Sequence, residues 1–127
     1  LFNNLITSEG TGDALDLKKG GIFPVVHGVR SLALEQGLRE TSTDKRIARL
    51  CELGVLRTDL GRDLNQAFRF LLTLRLDGQL AASAGVSGTL VRPAQLSSIE
   101  RHLLRDALQV VKQFRDIVRH HFKLGMF

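Results

Sequence analysis

The spacing of apolar residues predicts an all-α protein. Apolar positions recur at steps of three and four along most of the chain, as on the buried face of an α-helix, and no stretch shows the strict alternation of a half-buried strand. The first predicted helix begins at Ile22, carries Pro24 in its first turn and ends at Gly37 as its C-cap. Gly28 lies inside this helix, where the missing side chain allows a close crossing with another helix.

Three more helices follow in the pattern. A short helix is predicted over residues 44–53, ending at Gly54, and a long one starts near Thr58 with a wide apolar face that predicts burial on two sides. The last helix begins at a capping box, in which Ser97 and Glu100 each satisfy a backbone N–H of the other. Two apolar lines are predicted to form its core face: Ile99, Leu103, Ala107, Val110, Phe114 and Ile117 in one, and Leu104, Leu108, Val111, Val118 and Phe122 in the other.

The predicted architecture is an antiparallel helical bundle of four main helices, two short and two long, over residues 22–127. Residues 1–21 contain four glycines and little periodicity, so they are interpreted as an irregular lead-in that links the bundle to an upstream domain. Residues 82–93 are interpreted as a flexible connection between the two long helices. The length of 127 residues suits a single domain.

The composition is that of a globular protein. Hydrophobic residues make up 43% of the chain and charged residues 24%, whereas disorder needs low hydrophobicity and high net charge. No run of about 18 apolar residues is present, so no transmembrane helix is predicted. The single cysteine, Cys51, excludes an intrachain disulfide and a cysteine-rich metal site, which fits a reducing, cytoplasmic setting. No metal site is predicted elsewhere, because Asp59 and Asp63 near a helix start are interpreted as partners of the helix dipole.

The charge balance favours anionic partners. Eighteen Lys and Arg residues against thirteen Asp and Glu residues give a net charge of +5, and thirteen of the cations are Arg. This excess suits nucleotide phosphates, nucleic acid or an acidic protein surface, and an ordinary solvated basic exterior is the alternative. The chain has no Trp and no Tyr, so a stacking platform for bases has little support and nucleic-acid binding is not the leading expectation.

The most unusual local string is DLKKGG, from Asp16 to Gly21. Gly20 and Gly21 free the backbone to approach a ligand closely, and the helix predicted to begin behind them presents unpaired N–H groups and the positive end of its dipole. Because Lys18 and Lys19 add two positive charges, these residues form a candidate phosphate-binding corner. An ordinary Gly-rich turn before a helix is the alternative interpretation.

Two pairs of residues on predicted helices add further candidates. His27 and Arg30 lie one turn apart and can reach a phosphate or a carboxylate together, although bonding to a neighbouring helix explains them equally well. Arg115 and His120 form an Arg-x-x-x-x-His string that is similar to the motif of HEPN-type helical ribonucleases, and the helix dipole also favours both residues near a C-terminus. A cationic stripe on the same helix is interpreted as its solvated face or as a surface for an acidic partner: Arg101, Arg105, Lys112, Arg119 and Lys123.

An ordered series of short matches gives the chain a family resemblance. DLKKGGI at residues 16–22 is followed by PVVHGVR at 24–30 and LALE at 32–35, and later by Thr43 with Arg46, the segment 68–75 and the segment 96–107. The series covers most of the chain and resembles the nucleotidyltransferase substrate-binding domain family. The chain is also similar to the helical part of PII-uridylyltransferases and glutamine-synthetase adenylyltransferases. Where those enzymes carry an Arg-acid pair after the glycines, this chain has Phe23 and Pro24.

The resemblance implies a helical module that follows a nucleotidyltransferase domain in one bacterial polypeptide, commonly behind CBS and cyclic-nucleotide-binding domains of signal-transduction proteins. The catalytic Gly-Ser motif and the metal-binding carboxylates of that domain are missing from this sequence. No catalytic residue and no cofactor are therefore assigned to this chain, and Mg²⁺ and a nucleoside triphosphate are implied for the upstream domain.

The leading hypothesis is a non-catalytic domain that binds or positions the substrate of a nucleotidyltransferase. Its candidate binding residues are Asp16, Lys18, Lys19, Gly20, Gly21, His27 and Arg30, with Thr43 and Arg46 as secondary candidates. The alternatives are a HEPN-like RNA-binding or ribonuclease domain and a bundle for protein interaction or dimerisation, such as a homodimer.

Overall fold

Four α-helices dominate the fold, as predicted. The computed structural model describes residues 14–81 and 90–125, and its helices are α1 (Phe23–Glu35), α2 (Thr43–Glu52), α3 (Thr58–Ala81) and α4 (Ser98–Gly125). Two strands of two residues each, β1 (Leu15–Asp16) and β2 (Leu90–Val91), pair antiparallel with Leu15 opposite Val91. The prediction named no strand, because two residues are too short to show an alternating pattern.

The hydrophobic core lies where α4 packs against both α1 and α3, and α2 packs against α1 and α3. The largest side chains that are fully buried come from all four helices and from the segment before α1: Phe114, Leu17, Leu32, Ile47, Leu50, Leu64, Leu71 and Leu104. No charged side chain is buried among the described residues. The core is therefore apolar, and any polar chemistry lies at its margins.

Helices α1 and α4 run in the same direction and cross closely at Gly28. A Cβ atom added at Gly28 would lie 2.6 Å from Cε2 of Phe114 and 3.3 Å from Cγ2 of Val118. At the far end of both helices, Nε2 of His121 lies 2.6 Å from Oε1 of Glu35. The close crossing predicted from Gly28 is confirmed, because only a residue without a side chain fits against the Phe114 ring.

The predicted helix ends are confirmed where a cap was recognised. Gly37 and Gly54 have φ angles of +68° and +75°, a conformation that favours glycine, and each follows a helix whose last carbonyls accept backbone N–H groups beyond it. At the start of α4, the Ser97 N–H donates to Glu100 Oε1 at 3.0 Å and the Glu100 N–H donates to Ser97 Oγ at 3.1 Å. This is the reciprocal capping box that the sequence predicted.

The helical segment begins earlier than predicted. A wide helical turn covers Lys18–Ile22 and runs directly into α1, so Gly20 and Gly21 are buried inside a helix and do not form a loop. The reason is packing, since a Cβ atom at Gly21 would lie 2.7 Å from Cδ1 of Leu71 on α3. The interpretation of residues 14–21 as irregular is therefore wrong. The interpretation of residues 82–93 as a flexible connection is also wrong for its last part, because β2 and the 3-10 turn Pro93–Gln95 begin within it. Residues 1–13 and 82–89 lie outside the described residues.

Two predicted core faces are only partly covered. In the first apolar line of α4, Ile99, Leu103 and Ile117 are exposed, whereas Ala107 and Phe114 are buried. On α3, Leu72 and Leu76 are exposed, so burial of this helix on two sides is also wrong for those positions. The bundle presents one packed face of each helix to the core, and these adjacent apolar positions are left at the surface.

Candidate functional site

The start of the helical segment is closed by its own carboxylate. Oδ1 of Asp16 accepts hydrogen bonds from the backbone N–H groups of Lys18 at 3.0 Å and Lys19 at 3.1 Å. These are the N–H groups that an anion would use at a helix N-terminus. Gly20 and Gly21 are buried, and the backbone at this corner is a capped helix start whose two N–H groups already donate to Asp16.

One of the two lysines instead reaches a cavity between α1 and α4. The cavity has a volume of about 500 Å³ and lies at the close crossing of the two helices. Its lining residues are Lys19, Phe23, Pro24, His27, Gly28 and Ser31 from the first helical segment and Arg115, Val118 and Arg119 from α4. We refer to it as the α1–α4 cavity.

The lining of the α1–α4 cavity combines positive charge with an apolar wall. Lys19, Arg115 and Arg119 are its charged members, and no acidic residue lines it. Within residues 14–81 and 90–125, none of these three cations forms an ion pair. Their charges are therefore available to an anionic ligand.

Aromatic and small residues shape the α1 side of the cavity. The Phe23 side chain is 44% exposed, and its ring meets the His27 ring edge-on with centroids 5.6 Å apart. The Ser31 hydroxyl donates to the backbone carbonyl of His27 at 2.8 Å, so this hydrogen bond does not involve the His27 imidazole. The wall thus offers a planar apolar surface next to the cations.

Other predicted site residues lie elsewhere. Arg30 is exposed on α1 but does not line the α1–α4 cavity, and Lys18 is half-buried beside the Asp16 cap. Arg46 Nε donates to the backbone carbonyl of Glu40 at 2.8 Å, so this side chain holds the connection between α1 and α2. Thr43 is the first residue of α2. Of the nine predicted residues, Lys19 and His27 are brought together in this cavity.

Arg115 and His120 lie on different faces of α4. Arg115 lines the α1–α4 cavity, whereas His120 lines a separate cavity with Gln113, Asp116, Ile117 and His121. Five residues along an α-helix turn a side chain by about 140°. The chain thus does not assemble this Arg and His into one site, and the structure gives the ribonuclease alternative no support.

The sequence contained part of the information needed to place Arg115 and Arg119 in one cavity. The two residues are four positions apart and therefore share a helix face. What the sequence did not provide was the helix opposite them. Only the parallel α1–α4 crossing at Gly28 places that face against His27 and Lys19.

Cys51 is half-buried and packs against the edge of the core. Burial raises the pKa of its thiol, and Sγ lies 3.8 Å from the backbone carbonyl oxygen of Arg57. Over the described part of the chain, no group of three or more His, Cys, Asp or Glu side chains is arranged to hold a metal ion. None of the described helices has the length and apolar character needed to cross a membrane.

The chain was compared with known protein families, curated proteins and solved structures. Residues 1–122 match the family described as "Putative nucleotidyltransferase substrate binding domain". No curated protein and no solved structure matches the chain.

Proposed function

Because the chain belongs to the nucleotidyltransferase substrate-binding domain family, we propose that it is the non-catalytic part of a signal-transduction nucleotidyltransferase. It binds an anionic, nucleotide-bearing substrate and positions it for a catalytic domain elsewhere in the same polypeptide. The Mg²⁺ ion and the chemistry of transfer belong to that catalytic domain, and this chain supplies binding and orientation.

The α1–α4 cavity is the observation that carries the proposal. Lys19, Arg115 and Arg119 converge on it, and no carboxylate competes with a ligand for their charge. Arg guanidinium groups bind phosphate through two parallel hydrogen bonds, and a Lys ammonium adds a mobile point charge. The cavity therefore has the donors that a phosphate chain needs.

The apolar wall supports a ligand that also has a ring. Phe23 and Pro24 lie on one side of the cavity and Val118 on the other. An exposed phenyl ring next to cations favours a planar group that can pack against its face or edge while its charged part reaches the arginines. A nucleotide has both parts, whereas inorganic phosphate or a simple acidic side chain has only one.

The test is nucleotide binding by the 127-residue chain, followed by calorimetry or by NMR amide shifts. ATP, GTP, CTP and UTP are titrated separately, with inorganic triphosphate as the probe that lacks a base. We expect Arg115→Gln to weaken nucleotide binding by about tenfold or more, because a hydrogen bond to a charged group contributes about 1.5–3 kcal/mol. Arg105→Gln is the matched control, since Arg105 is exposed on the same helix but does not line the cavity.

A variant of Arg30 tests whether nucleotide binds in the α1–α4 cavity, because Arg30 was predicted as a binding residue but does not line this cavity. We expect Arg30→Gln to leave nucleotide binding unchanged, because Arg30 does not line the α1–α4 cavity. Equal losses for Arg30→Gln, Arg105→Gln and Arg115→Gln would indicate a diffuse charge effect and would overturn the proposal. Absence of nucleotide binding at millimolar concentration, or nucleotidyl transfer by this chain alone, would overturn it as well.

A further inference from the structure

Among the residues that line the α1–α4 cavity, His27 is the one whose side-chain type changes charge near neutral pH. Histidine gains or loses a proton between about pH 5 and 8, whereas lysine and arginine stay charged throughout this range. Lys19, Arg115 and Arg119 therefore give the cavity a fixed positive charge, and His27 can add a variable one.

The His27 imidazole has its ring nitrogens open to a ligand. The residue is exposed, and its ring meets the Phe23 ring edge-on with centroids 5.6 Å apart. The hydrogen bond from Ser31 ends on the backbone carbonyl of His27, and within residues 14–81 and 90–125 neither ring nitrogen forms a hydrogen bond or an ion pair. A protonated imidazole can therefore donate from both nitrogens to an anion in the cavity.

Cations face His27 from two neighbouring elements. Lys19 reaches the cavity from the helical turn that precedes α1, and Arg115 and Arg119 reach it from α4. On α1 itself, Arg30 lies outside the cavity lining. The imidazole thus shares the cavity with three groups of positive charge.

The carboxylates of the same elements lie outside the cavity. Asp16 caps the helical turn, Glu35 lies 2.6 Å from Nε2 of His121, and Asp116 lines a separate cavity. Since no carboxylate lines the α1–α4 cavity, no described group there stabilises the charged form of His27. A bound anion supplies that stabilisation.

We propose that His27 is a fourth phosphate-binding residue of the α1–α4 cavity and that it takes up a proton from solvent when the phosphate chain binds. This inference rests on the proposed function, which places the phosphates of a nucleotide among Lys19, Arg115 and Arg119. Phosphate favours the protonated imidazole, so proton binding and phosphate binding strengthen each other by the same factor. Nucleotide affinity therefore rises as the pH falls from 8 to 6.

The first experiment measures nucleotide affinity of the 127-residue chain at pH 8, 7 and 6 by calorimetry. The probe is whichever of ATP, GTP, CTP and UTP binds most tightly. A terminal phosphate itself titrates near pH 6, so each value is compared with that of His27→Gln, in which the contribution of the ligand is the same. Between pH 8 and 6 we expect the parent to gain about five- to tenfold more affinity than His27→Gln, as for one charge-assisted hydrogen bond.

Two further variants bracket the effect. His27→Lys carries its charge at every pH used, so we expect it to bind nucleotide at pH 8 about as tightly as the parent does at pH 6 and to lose the additional pH dependence. His102→Gln is the matched control, because His102 is exposed on α4 and does not line the cavity. It is expected to keep the pH dependence of the parent.

The second experiment follows the proton itself by NMR. The imidazole C–H signal of His27, assigned by its loss in His27→Gln, is followed against pH in the free chain, with the nucleotide and with inorganic triphosphate. We expect the imidazole to stay protonated to higher pH with either ligand, whereas the signal of His102 is unaffected. A response to nucleotide but not to bound triphosphate would place His27 against the base and would overturn the proposal.

The outcomes separate this inference from the proposed function. If nucleotide binds and Arg115→Gln weakens it, but the parent and His27→Gln have the same pH dependence, this inference is overturned and the proposed function stands. Protonation of His27 that does not respond to bound nucleotide has the same meaning. Absence of nucleotide binding throughout pH 6–8 would overturn both.

Discussion

The close crossing at Gly28 predicts that a single added methyl group destabilises the protein. In Gly28→Ala, the new Cβ would lie 2.6 Å from Cε2 and 3.1 Å from Cζ of Phe114, whereas ordinary contacts begin at 3.4 Å. The ring would have to retreat by about 0.8 Å, the difference between 2.6 and 3.4 Å. Phe114 is fully buried, so it has no solvent to retreat into.

Two effects of Gly28→Ala oppose each other. Alanine is favoured over glycine inside a helix by about 1 kcal/mol, and overpacking of a well-packed site costs about 1–3 kcal/mol. We expect the steric effect to win, because the neighbour is the rigid edge of a buried ring and not the end of a flexible side chain. The net loss is about 1 kcal/mol, which corresponds to a fall in melting temperature of about 4 °C for a domain of this size.

Urea and thermal unfolding of the parent chain and Gly28→Ala measure this difference directly. Phe114→Leu supplies the control, because a smaller side chain makes room for the methyl group. In that background, the same Gly28→Ala change is expected to be neutral or stabilising, which gives a favourable coupling energy between the two sites. A Gly28→Ala protein about 1 kcal/mol more stable than the parent would show helix propensity acting alone, and the reasoning about the crossing would be refuted.

Three further predictions follow from helix ends and glycine contacts. Asp16→Ala is expected to lower the unfolding free energy by about 1 kcal/mol, because the two N–H groups lose their acceptor. Asp16→Asn is expected to keep most of the parent's stability, since the asparagine oxygen still caps the helix. Equal losses of stability in the two variants would argue against the cap. Gly61→Ala is expected to destabilise the protein because its Cβ would overlap Sγ of Cys51, and adding Cys51→Ala is expected to recover stability in urea unfolding. The backbone N–H of Ser97, assisted by its hydroxyl, holds the pKa of Glu100 below its ordinary value, so the stabilisation is present above about pH 4.3 and is lost as the pH falls through the lowered pKa. Ser97→Ala removes the hydroxyl and keeps this N–H, so NMR titration should show the Glu100 pKa rising only part of the way to its ordinary value; a full return would contradict the N–H as the main cause.

Helix ends were the best-predicted features because their signals are local. A glycine with positive φ after a helix and a Ser-x-x-Glu box act through backbone groups only a few residues away. Gly37, Gly54 and Ser97 therefore fell where the sequence placed them. The role of Gly28 was also predictable in part, since its position inside an apolar stripe already indicated a helix crossing.

Burial on adjacent faces was harder to predict because it depends on neighbours that lie far away in the sequence. The apolar pattern of α4 shows two lines, and periodicity alone does not say which one another helix covers. In the fold, Leu104, Leu108 and Val111 are buried, while Ile99 and Leu103 are exposed. The same limit applies to Gly21, whose burial depends on Leu71 fifty residues further along the chain.

The candidate site shows the same division between local and distant information. Lys19 and His27 were selected for local reasons and do line the cavity, whereas Arg30 satisfied the same local reasoning and does not. What distinguishes them is the side of α1 on which each lies relative to α4. That side is set by the contact of Gly28 with Phe114, so a packing residue decides which cations form the site.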